Sequence, residues 1–81
     1  MSPLFLSLLL AAAPSAQQAQ QLAQSKSWED LYLAYSAADP KGYSEADRKA
    51  ISGPLLKGCE ALVGNDAIMA YSLGERSVAF E

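Results

Sequence analysis

Histidine is absent from this chain of 81 residues, and cysteine occurs once, at Cys59. Zinc sites draw on several His, Cys or acidic ligands, so the composition argues against a structural or catalytic zinc. No Ser/His or Cys/His nucleophilic pair can be assembled within the chain. A disulfide framework needs a second cysteine. Positive charge is also scarce. Six lysines and arginines (Lys26, Lys41, Arg48, Lys49, Lys57, Arg76) stand against nine acids, for a net charge of −3. They are scattered and form no basic stripe to track a phosphate backbone, so nucleic acid is not an expected partner. No glycine-rich phosphate loop and no metal-ligand spacing is present, so no cofactor is expected. Eight of the nine acids, Glu29, Asp30, Asp39, Glu45, Asp47, Glu60, Asp66 and Glu75, are spread along the chain ahead of Glu81. Helix caps and solvated faces account for them better than paired acid–base chemistry does. The expectation is a non-enzyme.

Long hydrophobic runs are few as well. The single one covers residues 4–13 and is interrupted only by Ser7. It is about half the roughly 20 residues that a spanning helix needs, so no stable membrane span is expected. Its length suits the central region of a secretory signal peptide, and small residues follow it. Ala13 and Ser15 have the small-x-small spacing that favours cutting after Ser15. No Lys or Arg precedes the run, and no cysteine follows it to carry a lipid. Residues 1–15 therefore read as a signal peptide, and the product as exported, to the periplasm or the extracellular space.

The whole sequence is 51% apolar, too much for a disordered tail. It suffices for one small domain with a modest core. Residues 16–26, "AQQAQQLAQSK", are good helix formers with one large apolar residue, Leu22. They read as a polar helix or linker outside the core. Residues 27–81 read as a small helical domain. Ser27 with Asp30 resembles a capping pair. Trp28, Leu31, Tyr32 and Tyr35 then fall on one helical face. Such aromatics, with Tyr71, could line a peptide groove, but this spacing more often marks a core. The Asp39–Pro40 step closes that helix. Ser44 caps the next one, with Glu45 and Asp47 placed well for its dipole. "SGP" at residues 52–54 is expected to break or kink it, with a new helix starting near Pro54. Leu55, Leu56, Cys59, Leu62 and Val63 would form the buried side of that helix. Cys59 fits there as a small apolar residue, although an oxidising compartment leaves it open to intermolecular pairing. Gly64 suits a left-handed helix end, and Asn65 or Asp66 a cap.

The last helix is expected over residues 66–80. Ala67, Ala70, Tyr71, Gly74, Ser77 and Val78 lie on one stripe, and Met69, Leu73 and Phe80 on another. Two stripes imply two neighbours, and the small residues suit an antiparallel partner helix. "PLLKGCEALVGNDAIMAYSLGERSVAFE" resembles one tetratricopeptide repeat. Gly58 and Ala70 have the spacing of that family's two small contact residues, "GND" sits at its inter-helix turn, and "GERSVAFE" is similar to its second-helix ending, with Ser77 as the small residue. "WEDLYLAY" separately resembles the first-helix motif, through Trp28, Leu31 and Tyr35. The resemblance implies an all-α, helical-repeat-like chain of short antiparallel helices that binds protein or peptide, and that begins a longer array. The alternative is a self-contained small secreted helical protein with a structural or inhibitory role. In an array each repeat covers the next. Leu73, Val78, Phe80 and Tyr71 are therefore the expected interaction surface, with self-association through the last helix as one outcome.

Overall fold

The computed structural model describes residues 13–81. They form four α-helices: α1 Ala16–Gln24, α2 Trp28–Tyr35, α3 Glu45–Leu62 and α4 Ala67–Phe80, with a 3-10 turn at Pro40–Gly42. The expected all-α class holds among the described residues, which contain no strand. None of these helices is long and apolar enough to cross a membrane. Residues 1–12, which hold most of the expected signal peptide, lie outside the described residues.

Helix α1 is more than a linker. Ser15 caps it, its hydroxyl accepting from the Gln18 N–H at 3.2 Å. Ala19 is fully buried in the core, and Leu22 packs against that core. A small residue was enough: alanine lets the helix backbone lie close to its neighbour, and a search for large apolar residues overlooks it. The helix ends in a Schellman motif. Ser27 N–H bonds the Leu22 carbonyl at 2.9 Å and Lys26 N–H that of Ala23 at 3.0 Å. Lys26 takes the left-handed position, with φ of 57°. Gly64, expected in such a position, does not adopt positive φ. Instead the α3–α4 turn stays right-handed through Val63, and both Asn65 and Asp66 N–H groups bond the Leu62 carbonyl.

In α2, Leu31 and Tyr35 are buried, and Trp28 and Tyr32 pack beside them, as the spacing implied. Ser27 contributes no side-chain cap; its hydroxyl pairs with that of Ser25 at 2.9 Å. The helix ends at Tyr35, ahead of Asp39–Pro40. The chain leaving it is tied down from α4, where Arg76 donates through Nε to Tyr35 O at 3.1 Å and through Nη2 to Ala38 O at 2.7 Å.

Ser44 caps α3 as expected, accepting from Asp47 N–H at 3.1 Å. The helix then runs unbroken through Pro54, which corrects the expected break. Proline inside a helix costs about 3 kcal/mol through its missing N–H and its ring. Ile51 and Ser52 before it, and Leu55 and Gly58 after it, are all buried on one continuous face. Burial on both sides of the proline offsets that cost. The uninterrupted phase also turns Leu56 and Val63, expected inside, towards solvent.

Helices α3 and α4 form an antiparallel pair, with Ser52 opposite Ser77 and Gly58 opposite Leu73. The serines are buried and bond reciprocally. Ser52 Oγ donates to Ser77 O at 3.0 Å, and Ser77 Oγ to Ser52 O at 3.0 Å. Asp66 starts α4, accepting from Met69 N–H at 3.1 Å. Its buried side is Ala70, Leu73, Ser77 and Phe80. Leu73 and Phe80 were expected on an exposed patch, and this is corrected: both are fully buried. Phe80 fills the space between Tyr35, edge-on with centroids 5.9 Å apart, and Tyr43 at 5.5 Å. One core drawn from all four helices results: Ala19, Leu31, Tyr35, Ile51, Leu55, Leu73 and Phe80.

Gly58 is the tightest point. A Cβ there would lie 2.8 Å from Leu73 Cδ1 and 2.9 Å from Trp28 Cε3. Overpacking costs about 1–3 kcal/mol, and the gain in helix propensity is at most about 1 kcal/mol. The indole is rigid and Leu73 is enclosed, so the overpacking wins. Gly58→Ala should therefore destabilise the chain. At Gly53 an added Cβ meets no atom within 4 Å beyond its chain neighbours, but the Pro54 ring crowds a Cβ on the helical residue before it and opposes the gain in helix propensity, so Gly53→Ala should change stability less than Gly58→Ala does. Urea unfolding of the two variants checks the order.

Candidate protein-docking face

With Leu73 and Phe80 turned inward, the large apolar side chains that α4 leaves outside are Ile68, Tyr71 and Val78, which are 82%, 68% and 68% exposed. Helix α3 contributes Leu56 and Val63, 47% and 66% exposed. Residues seven apart on a helix share a face. Leu56 and Val63 thus lie on one stripe of α3 with Cys59 between them. Tyr71 and Val78 lie on one stripe of α4 with Gly74 between them. The two stripes meet because Cys59 faces Gly74: its Sγ is 3.2 Å from where a Gly74 Cβ would stand.

The result is a shallow apolar groove along the α3–α4 seam. Cys59 and Gly74 form its floor, and Tyr71, Val78 and Ala79 line its α4 side. Its polar border is Glu75, whose carboxylate accepts from the Tyr71 hydroxyl at 3.2 Å. Cys59 is a free, half-buried thiol. Arg76 reaches the same rim, but its guanidinium is committed to the Tyr35 carbonyl at the end of α2 and the Ala38 carbonyl just after it, and sits 5.4 Å from the centre of the Phe80 ring. Apolar area with a hydroxyl, a carboxylate and a thiol at hand suits contact with another protein surface.

Two of the four residues expected at an interaction surface, Tyr71 and Val78, are therefore on this face, and Leu73 and Phe80 are not. Leu56 and Val63, on the Cys59 stripe of α3, were expected inside and are exposed beside it. An unbroken α3 would have put Leu56 and Val63 out of phase with Ile51 and Leu55, and that periodicity was the available signal. Among the described residues no group of three or more acids or cysteines gathers as a metal site would.

The second concentration of polar chemistry lies under the end of α4. Tyr35 donates its hydroxyl to the Ser15 carbonyl, and Tyr43 donates to the Pro14 carbonyl at 2.7 Å. Burial pushes the Tyr35 phenol from its ordinary 10.0 up to about 12, with the neighbouring Tyr43 adding to the effect. Tyr43 is raised as well, by burial and then by the charge of Asp47.

No family model, no curated protein and no solved structure matches this chain.

The tyrosine shifts carry a pH dependence. A phenol whose folded pKa exceeds its unfolded value holds its proton more tightly when folded. The stability it contributes is complete below pH 10 and is lost as pH rises towards about 12. The thermal midpoint should accordingly fall between pH 10 and 12. Tyr35→Phe, which cannot ionise at that position, should flatten the fall; melts across this range check both.

Proposed function

We propose that this chain is an exported, non-catalytic helical module of tetratricopeptide-like character, and that it binds protein through the outer face of α3 and α4. The observation that carries the reading is the contiguity of exposed apolar side chains there. Tyr71 and Val78 line the α3–α4 seam beside Cys59, Leu56 and Val63 are exposed on the Cys59 stripe of α3, and the core closes without any of them. Apolar patches rimmed by polar groups mark interaction sites on small proteins. An amphipathic helix is the natural occupant, because a helix lays one apolar face into a groove of this kind. Export is supported by the apolar run of residues 4–13 and the small residues after it.

A second copy of the face is the simplest occupant. A surface with both a floor, at Gly74, and ridges, at Tyr71 and Val78, can complement itself about a two-fold axis. The alternative, a self-contained secreted helical protein of structural or inhibitory role, is favoured by the burial of Leu73 and Phe80 in one core shared by all four helices.

Sedimentation of the chain over a range of concentrations separates the two. The docking reading expects concentration-dependent association that Val78→Glu abolishes. That substitution should leave the unfolding free energy within about 0.5 kcal/mol, as at other exposed sites. A monomer at every concentration, with a cooperative melt, favours the self-contained reading. Association that survives Val78→Glu arises elsewhere and removes the face from consideration.

A further inference from the structure

The two tyrosine hydroxyls converge on the peptide groups that lead into α1. Tyr35, fully buried on α2, donates to the Ser15 carbonyl. Tyr43, after the 3-10 turn, donates to the Pro14 carbonyl at 2.7 Å. Both rings are packed against Phe80 from the far end of the chain. Ser15 has two further tasks. Its side chain caps α1 through Gln18 N–H, and its carbonyl accepts the Ala19 N–H at 3.2 Å. Residues 14 and 15 are thus held by three elements of the fold, at the very place where the small-x-small spacing suggests that a leader is removed.

Cutting after Ser15 would undo all of this. The cap on α1 would be lost, since no other residue replaces Ser15. The part-buried Tyr35 and Tyr43 hydroxyls would lose the backbone acceptors they now have, and with them the stabilisation of two hydrogen bonds. The new α-ammonium would sit on Ala16, the first residue of α1. There it meets the positive end of the helix dipole, where cations are disfavoured.

We infer that Pro14 and Ser15 belong to the mature folded protein, and that processing falls at or upstream of the Ala13–Pro14 bond. The inference rests on the export reading, and it moves the boundary of the leader. In the cut itself, a leader peptidase adds water across one peptide bond. The upstream residue leaves as a carboxylate, and the downstream residue keeps the free amine. Ala11, Ala12 and Ala13 supply small residues upstream of Pro14, and because the nitrogen of the Ala13–Pro14 bond belongs to proline, the cut is expected after Ala11 or Ala12. The mature chain then begins no later than Pro14, and the tyrosine clasp closes on residues that are retained.

The full-length gene is expressed in an export-competent bacterial host, and the intact mass of the exported chain is measured. The expected first residue lies at position 12 or 13. A first residue at 15 or later overturns the inference while leaving export standing. A chain confined to the cytosol with Met1 in place overturns the cut and the export reading together. On the same purified exported chain, Tyr35→Phe should lower the thermal midpoint by about 4–8 °C, the shift that one lost hydrogen bond brings in a domain of this size. An unchanged or higher midpoint would mean that the bond to Ser15 does not hold the fold together, and would remove the reason for retaining Pro14 and Ser15.

Discussion

The close approach of α3 to α4 is the contact on which the other packing relations depend. It is possible because Gly58 has no side chain where Leu73 and the Trp28 ring converge. Gly74 plays the same part for Cys59 one step along the seam. Between them and the ends of the helices, Ser52 and Ser77 exchange hydroxyl protons for each other's carbonyls. Such a pair satisfies two polar side chains in a place that water does not reach, and it sets the axial register of the helices. A shift of one turn would separate the serines and drive a larger side chain against Gly58.

That register determines what happens at the end of α4. With Ser77 fixed opposite Ser52, Arg76 points at the end of α2, and Phe80 falls between Tyr35 and Tyr43. Arg76 ties down the chain leaving α2 by donating to the Tyr35 and Ala38 carbonyls. Phe80, next to the last residue, becomes a core residue. The tyrosines against it reach the chain entering α1. The two ends of the described chain are therefore joined through aromatic rings, and the stability of each depends on the other.

The same register decides which apolar side chains remain outside. A helix with apolar residues on several sides must choose one side for its core. In α4 the choice is Ala70, Leu73, Ser77 and Phe80, which leaves Tyr71, Val78 and Ile68 in solvent. In α3 it is Ile51, Ser52, Leu55 and Gly58, which leaves Leu56 and Val63. The outer groove is thus the complement of the core: one packing decision made both.

From the amino-acid sequence alone, the all-helical class followed, because period and caps are local properties. Ser44, Asp66 and the face of Trp28, Leu31 and Tyr35 are where that reading placed them. The importance of small residues in α3–α4 packing was legible too, since only small side chains allow close helices. Tertiary structure decided the rest. Pro54 stays inside α3 because burial before and after it outweighs a local penalty that the sequence shows in isolation. Ala19 becomes core because what it touches is distant along the chain. Leu73 and Phe80 go inside, while Tyr71 and Val78 stay out, because helices α2 and α3 and the segment around Tyr43 are already in position to cover one side of α4. A periodicity can show that a helix has two apolar sides. Which side is covered depends on partners that only the folded chain brings together.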